Sequence, residues 1–189
     1  MCNHRVWLAT GDVVPDEATA SEVNAVGPRG LRCGRVDRDQ KDVAARVALR
    51  LLVDTYARGV DRRETDAVAG LFSAEGTFVA HFHHGPDGTP VVRRGREEIA
   101  AVLVAGLRPY LATTHVVGGQ VLELDLDRGR AGGETVCLAH HVYERDDVRR
   151  LLVMAVRYED EFVCESGVWR FAERQLRLDW RDDRPLAER

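Results

Sequence analysis

Lysine is almost missing from this chain, since Lys41 is the single lysine among 27 basic residues. That bias fits a GC-rich coding sequence better than a phosphate-reading surface. Against 31 acidic residues the net charge is -4, so no broad basic face exists to bind nucleic acid or an anionic membrane. Long apolar runs are also lacking, and none approaches the ~20 residues of a membrane-spanning helix. Aromatic residues make up only 6%. Four cysteines (Cys2, Cys33, Cys137, Cys164) form no C-x-x-C pair and no zinc spacing, so they read as reduced thiols of a cytoplasmic protein. The first residues, MCNHRVWLATGDVVPDEA, lack the apolar stretch of a secretory signal, and export is not expected.

What remains is a chain of 189 residues, 44% hydrophobic and 31% charged, long enough to bury one core. Residues 1–40 carry Pro15, Pro28 and no sustained period, and read as a loosely packed tail; 41–184 form the domain and 185–189 a short C-terminal tail. From Lys41, Val43, Ala44, Val47, Leu51, Leu52 and Tyr56 recur at helical spacing in KDVAARVALRLLVDTYARGVD, with an end expected near Gly59. A short helix follows over Glu64 to Phe72. Gly76 opens a strand, TFVAHFHH, turned by GPDGTP into VVRRG as a hairpin. GREEIAAVLVAGLRPYL places Ile99, Val102, Leu103, Gly106 and Leu107 on one stripe, and Pro109 closes that third helix. Four strands, roughly 113–124, 134–145, 149–164 and 167–180, are separated by DRGRAGG, RDD and ESG. Helices followed by a meander mean α+β with one curved antiparallel sheet.

Several residues could carry chemistry. Tyr56 and Asp61 are five residues apart, about 500° of helical rotation, so they share a pocket only if the helix ends between them, as Gly59 permits. His115 opens a strand in ATTHVVGGQV. His140 and His141 are strand neighbours, of which only one faces the interior. Arg174, among apolar neighbours in the last strand, needs a partner for its charge. His81 and His83 in AHFHH fall on one strand face as an H-x-H pair, and with His115 or His141 would form a metal site; a polar hairpin tip explains them as well, and no metal is assigned.

These segments, YARGVDRRETDAVAGLFSAEGTF, RGREEIAAVL, TTHVVGGQV and RYEDEFVCESGVWRFAERQLRLDW, resemble the SnoaL-like branch of the nuclear-transport-factor-2-like superfamily, especially the scytalone dehydratase and bile-acid dehydratase group, across about residues 42–182. The resemblance implies a conical α+β barrel, a strongly bent antiparallel sheet wrapped by about three helices around an apolar pocket. It implies an Asp61–His115 acid/base dyad and a catalytic Tyr56. A second catalytic histidine falls at His140 or His141, with His141 taken as catalytic and His140 as substrate-binding, while Arg174 matches a pocket arginine of dehydrochlorinase-like relatives. Val60 stands where scytalone dehydratase has a pocket tyrosine, which argues against a naphthol-type substrate. Trp180 is taken as substrate-binding, with barrel core as its other reading.

In chemical terms, a carboxylate on one imidazole nitrogen fixes the tautomer and leaves the other nitrogen free to take a proton beside a carbonyl. Tyr56 would stabilise the enolate and His140 or His141 would protonate a leaving hydroxyl. The expectation is a cofactor-independent dehydratase, or an isomerase or cyclase, acting on a small apolar or polyketide-derived compound. Its partners would be that small molecule and further copies of the chain, as a dimer or trimer through the sheet face, with neither nucleic acid nor membrane. The alternative is a non-catalytic binding or assembly module of the same fold, such as a dioxygenase small subunit.

Overall fold

The computed structural model describes residues 36–81 and 89–187, the first four by backbone alone. The tail expected over 1–40 lies outside these residues up to residue 35. Its last five residues are helical, because helix α1 runs from Val36 to Asp61.

The α1 pattern contains two apolar stripes, and packing selects one. Leu49, Leu52, Val53, Tyr56 and Val60 are buried, whereas Val43, Val47 and Leu51, three of the residues that define the expected period, are exposed. The helix also does not stop at Gly59. Glu64 N–H donates to the Gly59 carbonyl (2.9 Å) and Arg63 N–H to that of Val60 (3.2 Å), with Arg63 at φ 63°. This pair of bonds is a Schellman closure, and it makes Asp61 the last helical residue. Gly59 instead permits close approach to α2 (Thr65–Ala69): a Cβ there would lie 2.5 Å from Val68 Cγ2.

Strand β1 (Phe72–His81) begins four residues before the expected Gly76 and pairs antiparallel with β2 (Val91–Arg94). Helix α3 (Gly95–Leu107) buries Ile99, Leu103 and Leu107 at four-residue spacing. Then come β3 (Ala112–Asp125), β4 (Arg130–Arg145), β5 (Val148–Glu165) and β6 (Val168–Pro185) as an antiparallel meander. β6 runs through 180–185, past the end expected for it. The sheet order is β2-β1-β6-β5-β4-β3. It is open, with β2 and β3 at its edges, and one pair, β1 with β6, is parallel.

Register shifts interrupt β1 with β6 between Phe72 and Thr77, β3 with β4 between Val117 and Gln120, and β5 with β6 twice. Such bulges bend strands and increase twist, which curves a long sheet. The core fills its inner side, where Tyr56, Phe72, Tyr158, Phe162 and Phe171 pack with Ile99, Leu103 and Leu107 of α3. No helix among the described residues is long and apolar enough to cross a membrane.

Candidate active site

The end of α1 and the start of β3 meet at Asp61. Its Oδ1 accepts from His115 Nδ1 at 2.7 Å and its Oδ2 accepts from the His115 backbone N–H at 2.9 Å. Two bonds to one residue fix both the ring tautomer and the carboxylate plane. Burial works to raise the Asp61 carboxyl, but the ring and backbone bonds from His115 and a bond from the Thr113 hydroxyl outweigh it and hold the group below its ordinary value. Arg63 steadies the corner, donating to Thr113 Oγ1 (3.1 Å) and to the Tyr110 carbonyl (3.1 Å). Its left-handed backbone thus ends the helix and puts its guanidinium on the neighbouring strand.

His115 forms part of the wall of a cavity of about 430 Å³. The other walls are apolar and include Val60, Phe78, Leu103, Leu107, Met154 and Leu176, with Tyr56, Tyr158 and His141 as further polar groups. The size lies within the range of small-molecule sites. Asp61 faces away from this cavity, into a polar surface groove shared with Arg58 and Arg62. Tyr56 and Asp61 therefore do not share a pocket, because the helix continues between them. His115 borders both spaces and connects them.

Strand register decides between the adjacent histidines. His115 pairs with Ala139 and Thr113 with His141, so His141 shares the face of His115, and His140, opposite Thr114, takes the other face. The His115 and His141 rings stand 5.5 Å apart, edge to face. Burial, and then the nearby His115, push His141 down to about 4, so it is neutral at neutral pH. Its Nδ1 is buried with no hydrogen-bond partner among the described residues, and Tyr110 packs on the ring at 4.4 Å.

Three sequence expectations fall elsewhere. His140 lies on the opposite face of the sheet from the cavity. Trp180, 54% exposed, is absent from the lining, because its register partner Ala155 alternates with the lining residues Met154 and Val156, which puts Trp180 on the outer face of the sheet. Arg174 is also not a lining residue; it is 0% exposed and held by Asp160 in a bidentate pair, Nε to Oδ1 at 2.8 Å and Nη2 to Oδ2 at 2.7 Å. Burial opposes its charge, but the Asp160 carboxylate outweighs that and raises the guanidinium. Its Nη1 is buried with no hydrogen-bond partner among the described residues, a loss of about 1–3 kcal/mol. The rings of Tyr56, Tyr158 and Phe171 enclose the cation at 4.1–4.2 Å.

Burial pushes the Tyr56 phenol up to about 12, against the opposing charge of Arg174, so it stays a hydroxyl donor throughout the neutral range. His81 binds Gln175 Oε1 (3.0 Å), and His83 lies outside the described residues. Among the described residues no three His, Cys, Asp or Glu side chains are grouped to hold a metal ion. Sequence reasoning missed Thr113, Arg63 and Tyr158. Thr113 was within reach, since it precedes His115 by two on the same strand face; nothing local marks Arg63.

A family model described as SnoaL-like domain matches residues 41–175. No curated protein matches the chain. Among solved structures, the chain is similar to the "Putative Scytalone Dehydratase" of Novosphingobium aromaticivorans DSM 12444, at 19% identity and TM-score 0.65, covering 79% of this chain and 93% of that one. It is similar to the hexachlorocyclohexane dehydrochlorinase LinA-type3 from Novosphingobium barchaimii LL02, at 21% identity and TM-score 0.64, covering 79% and 94%. It is similar also to ActVI-ORFA from Streptomyces coelicolor, at 17% identity and TM-score 0.59, covering 72% and 98%. At these identities the likeness establishes a shared fold.

Proposed function

The chain belongs to the SnoaL-like domain family, and from that premise we propose that it is a cofactor-independent acid/base enzyme that removes a proton beside a carbonyl in a small apolar or polyketide-derived substrate. Dehydration is the first reaction of choice, ahead of isomerisation or cyclisation. The observation that carries the reading is the His115 ring, bound through Nδ1 by Asp61 and exposed to an apolar cavity.

His115 Nε2 takes the α-proton, and Asp61 stabilises the resulting imidazolium. The Tyr56 hydroxyl donates to the enolate oxygen. As the enolate electron pair re-forms the carbonyl and expels a β-hydroxyl, the proton on His115 leaves with that oxygen as water, and the ring returns to its starting form. His141, neutral at neutral pH, serves the leaving hydroxyl by hydrogen bonding and not as a charged acid. The structural neighbours named as a dehydratase and a dehydrochlorinase support elimination as a reaction this fold hosts.

The test is exchange of the α-protons of an apolar ketone, 2-tetralone, in deuterated buffer, followed by NMR. Wild type should accelerate exchange, and folded Asp61→Asn and His115→Ala should lose about 10²–10⁴-fold. Undiminished exchange in folded His115→Ala removes the dyad.

The outer sheet face supports self-association. Val116, Leu138, Ala155 and Trp180 form one cross-strand row over four strands, and Val116, Leu138 and Trp180 are exposed. A second copy of the chain is the proposed cover. Leu138→Asp with Trp180→Asp should lower the mass measured by light scattering to that of one chain; an unchanged mass places any interface elsewhere. A reducing, cytoplasmic location fits Cys137 and Cys164, both free thiols.

A further inference from the structure

Arg174 touches nothing in the cavity, yet two of the three rings around its guanidinium, Tyr56 and Tyr158, belong to the cavity wall. The pair it forms with Asp160 joins neighbouring strands, since the two are register partners on β6 and β5. Asp160 engages one edge of the guanidinium through Nε and Nη2, and Nη1 is unmatched among the described residues. Stability alone does not call for this arrangement, because well-packed apolar residues often replace buried ion pairs with little loss or with a gain. A cation against an aromatic face is drawn to its π electrons, and it favours negative charge on an oxygen attached to that ring or hydrogen-bonded by it.

We propose that Arg174 and Asp160 are positioning residues that act through Tyr56, holding its ring in the cavity wall and biasing its hydroxyl toward an oxyanion, so that the cavity binds enolates and phenolates in preference to the neutral enols and phenols. This rests on the acid/base reading and deepens it by naming the chemical class of the bound species. Tyr56 is faced by Arg174 of β6, by Asp160 and Tyr158 of β5 and by Cys137 of β4, while His115 of β3 and His141 of β4 border the same cavity. Arg174 is the cation placed directly on the ring, which is why the bias is assigned to it.

The probe is 4-nitrophenol, whose ionised form alone is yellow, titrated with pH in the presence of the protein. With wild type, the bound probe should ionise about one unit lower than the free probe, equivalent to about tenfold tighter binding of the phenolate. Tyr56→Phe, and the paired variant Asp160→Leu with Arg174→Met, should still bind the neutral phenol while the preference shrinks to about threefold or less, roughly half a unit. Arg174→Lys, with Asp160 kept, should restore part of it. A bound probe that ionises at or above the free value overturns the proposal. So does a paired variant that keeps the full preference or weakens both forms equally, the latter being the mark of a merely structural pair. Should the paired variant not fold, Arg174→Lys carries the test of the cation, since it keeps the charge without the bidentate geometry: an undiminished preference there overturns the role of Arg174, and an undiminished preference in Tyr56→Phe overturns that of the hydroxyl. 2-Tetralone exchange in the same samples separates the two ideas. Exchange that depends on His115 without a phenolate preference defeats this inference and leaves the acid/base reading; loss of both defeats the reading itself.

Discussion

Acidification tests the buried His141 quantitatively. An ordinary histidine ionises near 6.5, whereas His141 in the folded chain does so at about 4. Between those values the unfolded chain takes up a proton that the folded chain refuses, so stability falls as pH is lowered through this window and is complete above it. The full separation corresponds to about 3 kcal/mol, of which about 2 kcal/mol is lost between pH 7 and pH 5. For a domain of this size that is a fall in Tm of about 4–8 °C. The assay is urea unfolding and calorimetry of wild type and His141→Gln at both pH values. Glutamine keeps a polar side chain that does not titrate, and the contributions of all other groups cancel in the difference between the two proteins. Wild type should lose about 2 kcal/mol more than the variant on acidification. Equal losses, within about 0.5 kcal/mol of each other, refute the argument that burial and His115 depress this ring.

The Asp61 carboxyl, held below its ordinary value by His115 and Thr113, adds a separate acid sensitivity confined to pH below the ordinary aspartate range; Asp61→Asn should remove that limb and leave the His141 limb in place. Arg174→Met alone strands the buried Asp160 charge and should cost about 3–5 kcal/mol in urea unfolding, whereas adding Asp160→Leu should recover most of it. Gly59→Ala gains about 1 kcal/mol of helix propensity but drives a methyl into Val68, so a net loss of about 1–2 kcal/mol is expected by calorimetry.

Much of the architecture is written in local pattern. Alternation marks the four long strands and RDD and ESG mark their turns, because pleat and turn geometry constrain residues within a few positions of one another. Both tight turns require left-handed residues, and Asp146, Asp147, Ser166 and Gly167 take that conformation. The Asp61–His115 pair was legible only through family resemblance, since the two residues lie 54 apart and no local period links them. The parallel joining of β1 to β6 has no local signal either, as it unites segments almost a hundred residues apart.

The amino-acid sequence alone determined which elements form, that a single one of His140 and His141 faces inward, and that a charge at Arg174 must find a partner. Tertiary structure decided the rest. Register with β3 turned His141 to the cavity. Packing buried the Leu49–Val53–Tyr56 stripe of α1 and left Val43, Val47 and Leu51 in solvent. The left-handed turn at Arg63 carried α1 past Gly59 to Asp61, so that Tyr56 joined the cavity while Asp61 reached His115 from outside it. These outcomes depend on which surfaces exclude water together, a property of the assembled layers and not of any one segment.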